Sequence, residues 1–460
     1  MSLKSPPRLP GIPLLGNLPE FRKDRLSLYQ HMHDTLGEIA EYRLLSKSFI
    51  LLSNTSLIRE LLTEHHNDYE RSPIMLMMKP ILGEGMLTTN NEQNTKQRLG
   101  MNPVFHADRF NAYADVISQK TSQIIDQWQD KPDLNLSNSL QELTLSIIGK
   151  TLFSVETLKN HSQFSKLVNE LLFATDQRLK FFFPVPLSCP LPMNRKLTQS
   201  LKPLKKLMHD HIETRRKELG TQPDLLHYLI HSKDEETGNL LSDEAICEQM
   251  LTFLFAGHET TATTLTWAFY LLAKNPDCYD QLQTELHSVL GTRLVQLSDL
   301  KQLPYTLQVI KESLRLYPPA YAFGRTAKTD MPLGNYQIKK GQVVLVSPYI
   351  VHRRADYYPD PLQFNPNRFS PENEAALPRN AWIPFGLGPR SCFGRNFAMM
   401  EAQLILATIA QQYRLTLKSS ETIRPEAMIT LRPAKAIHIT SRKVAPLELN
   451  NQPKEQYLFK

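Results

Sequence analysis

Apolar residues recur every three to four positions through residues 108–129, 136–153 and 163–178, and again from Arg395 to Leu406, the spacing of a single helix face. The longest such run extends from Ser242 to Lys274 and is stopped by Asn275-Pro276. Ser242 can cap it, and Asp243 and Glu244 suit the positive end of its dipole. At 1.5 Å per residue it reaches on the order of 50 Å, so it must cross the molecule. Strand patterns are fewer. Ile39–Leu44 and 48–52 predict a hairpin, Asn54 then caps a helix through His65, and Tyr336–Val346 reads as turn-linked strands. The expected class is mainly α with small β-sheets (α+β).

The segments between are also informative. Pro6, Pro7, Pro10, Pro13 and Pro19 predict an extended arm over residues 1–22. Residues 69–89, with Met75, Met77 and Met78, read as an irregular apolar loop, suited either to an adaptable binding surface or to core packing. A short helix over 92–102 carries Arg98, and a basic helix begins near Asn194. Between them, Phe181-Phe182-Phe183 reads either as a buried loop or as an apolar lid able to touch a membrane surface.

A chain of 460 residues could hold about three domains. No linker, repeat or low-complexity tract divides it, which predicts one helix-rich domain over 1–460 with a core ample for a buried cofactor. The net charge of +7 admits an anionic partner. Lys202, Lys205 and Lys206, and Arg215-Arg216-Lys217, fit solvated helix faces and come with no nucleic-acid motif, so nucleic acid is set aside and an acidic protein partner kept. Four scattered cysteines suggest no disulfide framework, and no apolar run reaches spanning length. The expectation is a cytoplasmic protein with no membrane anchor. His227 and His231 have zinc-ligand spacing but no evident third ligand.

Three stretches carry chemistry. In Phe385–Gly394, glycines and a proline bend the chain and deliver Cys392 just ahead of a helix N-terminus, where a thiolate is favoured and a redox-active metal can bind. In Ala256-Gly257-His258-Glu259-Thr260-Thr261, small residues let a flat cofactor approach the backbone, followed by an acid and a hydroxyl. Glu312 and Arg315 set opposite charges at i,i+3.

Phe385, Gly386, Gly388, Arg390, Cys392 and Gly394 stand at the spacing of the haem-binding signature of the cytochrome P450 family, which the chain resembles in four segments over 256–394. The resemblance implies the helix-rich prism of that family, with haem b between the long helix and the cysteine loop. It makes Cys392 the axial ligand to haem iron, with Phe385 beside the sulfur and Gly394 closing the loop. Arg98, Arg325, Arg390 and His352 would meet haem propionates, and Ala256 and Gly257 would approach the cofactor. Glu259 and Thr260 become the catalytic acid and alcohol, while Glu312, Arg315 and Arg368 form a structural network. The sequence departs from the family at Asn94, where tryptophan or histidine is frequent, at Asn367, where glutamate is more frequent, and at Arg354 and Ala355, which displace an aspartate and a proline.

The implied activity is a monooxygenase that inserts one atom of O2 into an apolar substrate such as a fatty acid, terpenoid, steroid or macrolide. Electrons would come from NAD(P)H through a separate flavodoxin, ferredoxin or diflavin reductase, and the protein would be a monomer. Two alternatives use the same ligand: an isomerase, dehydratase or peroxygenase without external electrons, and a non-catalytic haem sensor or carrier.

Overall fold

The computed structural model describes residues 3–128, 133–154, 161–179, 185–217, 224–233 and 238–444. Its axis is the helix Asp243–Lys274, capped by the Ser242 hydroxyl, which accepts from the Ala245 N–H. From Ile246 to Leu272 nearly every residue is buried, as expected of a helix apolar on all sides. It packs most extensively on Leu136–Phe153 and also touches Pro192–Lys217, Pro304–Leu316 and Arg395–Gln412. A Cβ on Gly257 would lie 2.8 Å from Ile148 Cδ1, so the glycine permits the close approach of the first pair.

The predicted hairpin forms, with Tyr42 opposite Phe49, and is one edge of a five-stranded sheet. The order is Ile39–Leu44, Lys47–Leu52, Val343–Val346, Phe323–Ala327, Tyr69–Arg71, and the second and third strands run parallel. Residues 336–346 form two strands linked by a turn, as their pattern predicts. Gly341, at φ +80°, turns the chain, so Val343–Val346 enters this sheet while Tyr336–Ile338 pairs with Met331–Leu333. The helix after Asn54 is Thr55–Arg59, continued by a wider π turn over Glu60–Glu64. Residues 69–89 are more ordered than predicted, because Pro73 and Pro80 begin the short helices Pro73–Leu76 and Lys79–Leu82.

The proline arm lies along the sheet: the Leu9 N–H donates to the Glu41 carbonyl at 2.8 Å and Arg8 pairs with the buried Glu41 carboxylate at 2.8 Å. It ends in the helix Leu18–Lys23. The aromatic run Phe181–Phe183 lies outside the described residues. Among the described residues, no helix is long and apolar enough to cross a membrane, and no cluster of three metal-ligating side chains occurs.

Glu312 and Arg315 are fully buried. Two charge-assisted bonds of 2.6 and 2.7 Å join them, and the guanidinium also donates to the carbonyls of His352, Pro361 and Gln363. Arg368 Nε stands 3.6 Å from Glu312. This network stitches the helix Pro304–Leu316 to the loop that precedes the cysteine segment.

Candidate functional site

The cysteine loop is shaped by its backbone. Gly386 and Gly388 have φ of +68° and +70°, and a Cβ on Gly388 would fall 2.0 Å from the Leu62 carbonyl oxygen. The Cys392 N–H donates to the Phe385 carbonyl at 2.8 Å, and Gly394 caps the helix Arg395–Gln412. Arg98 donates to the Ser391 carbonyl at 3.0 Å with its guanidinium over the Phe393 ring. Cys392 is accessible and lines a large cavity. Burial pushes its thiol up, against the opposing pull of the Gly394 N–H and of Arg98 and Arg395. Burial thus opposes what the helix N-terminus favours, and a bound metal would add to the bias toward a thiolate.

The cavity, of about 720 Å³, lies between the loop and the central helix. Phe385, Arg390, Cys392 and Gly394 line one side, and Ala256, Gly257, Glu259 and Thr260 the other. Arg98 and Arg325 reach the same space. So does Arg71, which sequence reasoning missed; it stands opposite Arg325 in the antiparallel pairing of their strands.

None of Arg71, Arg98, Arg325 and Arg390 forms an ion pair with a carboxylate among the described residues. Arg71 Nε and one terminal nitrogen of Arg390 are buried without a hydrogen-bond partner. Burial, then the charges of Arg390, Arg325 and Arg98, push Arg71 down to about 8. Arg390 is pushed down to about 10 by burial and by Arg325 and Arg98. Four converging cations, two of them with unspent buried donors, call for an anion. A flat, apolar group bearing two carboxylates and a metal that accepts sulfur fits this donor set, so the residues present suit haem.

His352 corrects an expectation. It is fully buried and does not line the cavity. Its Nε2 accepts from the Ile383 N–H at 2.8 Å and its Nδ1 lies 3.2 Å from the Arg315 carbonyl, so both nitrogens are committed to backbone. Burial, then Arg315 and Arg353, push it down to about 3, which keeps it neutral. Its role is to hold the loop.

On the central helix, the Thr260 hydroxyl donates to the Ala256 carbonyl at 2.7 Å, leaving its oxygen able to accept. Glu259 and Thr260 do not bond one another. Instead Glu259 Oε1 accepts from Thr430 at 3.0 Å, and Thr261 donates to Glu401 at 2.9 Å. Glu401 is fully buried on the cysteine helix, and burial pushes it up to about 8. A lone carboxylate within the apolar run Ala398–Leu406 was a usable signal for it.

The far wall is apolar. Met75, Met77, Met78 and Met86 line it beside Met428 and Ile429, which belong to the hairpin formed by Pro425–Ala427 and Leu431–Pro433. Asp176, on the helix His161–Leu179, grips that hairpin: it accepts from the Ile429 N–H at 2.9 Å and from Arg432 at 2.8 Å. No local pattern marks Thr430 or Asp176.

Comparison with known proteins agrees with this site. The family model for cytochrome P450 matches residues 6–440. The chain is 32% identical to cyclooctatin synthase of Streptomyces melanosporofaciens over 92% of each chain. It is 30% identical to cyclooctat-9-en-7-ol 5-monooxygenase of the same organism over 88% of each. To pentalenene oxygenase of Streptomyces avermitilis it is 29% identical, over 92% of this chain and 94% of the relative. A cysteine loop and a hydroxyl-bearing helix facing one another across an arginine-rimmed apolar cavity, together with a match along nearly the whole sequence, place this chain in the cytochrome P450 family.

Proposed function

We propose that the chain works as one domain in which Cys392 Sγ ligates haem iron and Arg71, Arg98, Arg325 and Arg390 hold the propionates. The enzyme is a haem b monooxygenase that uses O2 and takes electrons from NAD(P)H through a partner; the isomerase and carrier alternatives are set aside. When bound, haem supplies the reductive activation of O2. The protein's own part is to bind, orient and protonate. Phe385 packs beside the sulfur, and Ala256 and Gly257 give the cofactor room. Thr260 presents a hydroxyl oxygen to the cavity as a hydrogen-bond acceptor, and Glu259 holds the proton source one residue away. The methionine-rich wall excludes water and adapts to an apolar guest.

The observation that carries this reading is the convergence on one cavity of Cys392, Thr260 and four arginines that have no carboxylate partner among the described residues. The apolar far wall, and relatives named for cyclooctat-9-en-7-ol and pentalenene, favour a terpenoid substrate over a fatty acid. A spectral titration of the haem-loaded protein against cyclic terpene olefins and dodecanoic acid tests this choice. A saturable high-spin shift with the olefins supports it, and a shift with dodecanoic acid alone overturns it. In Cys392→Ala the thiolate-type haem spectrum should vanish; its persistence would refute the ligand.

The donor is an acidic protein docking on the cysteine side, around Arg395 and the exposed Leu99, and the enzyme acts as a monomer. Arg395→Glu should slow reduction while preserving the haem spectrum, and an unchanged reduction rate refutes this face.

A further inference from the structure

Thr430 stands at the turn of the hairpin that forms part of the cavity's far wall, and its hydroxyl bonds to the central helix across a cavity that both residues line. It donates to Glu259 Oε1 at 3.0 Å, a contact between side chains buried to 5% and 4% exposure. Glu259 Oε2 has no hydrogen-bond partner among the described residues, so this hydroxyl fixes the carboxyl group on its own. The turn is in turn gripped from the opposite side. Asp176 takes the Ile429 N–H and the Arg432 guanidinium, one residue before and two after Thr430. A carboxyl group of the helix His161–Leu179 and one of the central helix thus hold the same short turn, and Met428 and Ile429 of that turn face the substrate space.

We propose that Thr430 is a positioning residue for the acid Glu259, and that the 428–432 turn ties the placement of this acid to the wall the substrate touches. The inference rests on the proton-supplying role given to Glu259 above. It follows from the hydrogen-bond inventory. A hydroxyl that donates to one carboxyl oxygen sets the rotamer of the acid and leaves the other oxygen as its exchangeable site. Without that donor, the buried carboxyl group turns to seek another partner, since an unsatisfied buried acceptor is costly. A guest that shifts Met428 or Ile429 moves Thr430, and with it the acid.

The test uses the haem-loaded full chain and needs no substrate. The decay of the O2-bound, reduced protein is followed by stopped flow in H2O and D2O for wild type, Thr430→Val, Thr430→Ser, Glu259→Gln and the Thr430→Val/Glu259→Gln double variant. Glu259→Gln should slow the proton-dependent decay by about fivefold or more. Thr430→Val should slow it in the same sense, Thr430→Ser should restore it, and the double variant should match Glu259→Gln alone, because one residue acts through the other. Independently of turnover, the infrared carboxyl band of Glu259, isolated as wild type minus Glu259→Gln, should shift in Thr430→Val and return in Thr430→Ser. Additive effects in the double variant, or an unshifted band, overturn the inference while leaving the role of Glu259 intact. A silent Glu259→Gln overturns that role and the inference with it. Unaltered haem spectra and thermal midpoints in Thr430→Val show that the effect is not one of folding.

Discussion

On the cysteine side, the cavity wall is held by backbone and buried charge: two glycines at positive φ, one within 2.0 Å of a carbonyl if given a Cβ, and beneath them a fully buried Glu312–Arg315 pair. On the far side it is held by side chains, with methionines for surface and two carboxyl groups gripping a hairpin turn. The first wall has little freedom, because its left-handed turns disfavour L-residues, a Cβ at Gly388 would clash, and the ion pair cannot be left half made. The second can repack, since methionine has three rotatable bonds and few shape demands. A fixed cofactor thus faces an adjustable guest space.

If that contrast holds, damage to the first wall should cost folding and damage to the second should cost only binding. The largest loss is expected in Glu312→Ala, which strands Arg315 in the core and should cost about 3–5 kcal/mol, measured by urea unfolding with haem content. Gly388→Ala comes next. It combines left-handed backbone with a clash against the Leu62 carbonyl and should cost about 2–4 kcal/mol, read as a lowered thermal midpoint and a perturbed thiolate spectrum.

Glu401→Gln should be milder and dependent on pH. Burial raises the folded carboxyl to about 8 from an ordinary 4.5, so between about pH 5 and 8 the native state binds a proton that the unfolded chain does not. Stability then falls as pH rises through this window, by up to about 1.4 kcal/mol per unit. The glutamine variant should flatten that slope in urea midpoints taken at pH 5.5 and 7.5. The smallest effect on folding belongs to the far wall: Met428→Ala should leave stability within about 1 kcal/mol while weakening an apolar ligand by about tenfold or less. A folding loss in Met428→Ala as large as in Gly388→Ala would erase the distinction between the walls.

The same contrast governs what could be read from the amino acids alone. The cysteine loop, the central helix and the Glu312–Arg315 pair are legible because glycine, proline, periodic apolar residues and charges at i,i+3 act over a few positions. Arg71, Asp176 and Thr430 are invisible locally, since each matters through a partner more than 150 positions away. His352 misled because its segment resembles one that meets a propionate, whereas the fold spends both ring nitrogens on backbone. The strand pattern of 336–346 was sound, but a pattern of alternation names no partner, and Gly341 sent its two halves to different sheets.

The parallel pairing of Lys47–Leu52 with Val343–Val346 has a consequence for the life history of the chain. Phe49 and its partner Val343 are 294 positions apart, and the arginines of the cavity rim sit at 71, 98, 325 and 390. At a ribosomal pace of ~5–20 residues per second, the N-terminal hairpin waits tens of seconds with one edge open before its neighbour is synthesised. Closing so long a loop is slow, and an uncovered strand edge invites association with other chains. The arginine rim is complete only after Arg390 has emerged, so the pigment is acquired late, and expression yield should respond to chaperone supply and haem precursor together.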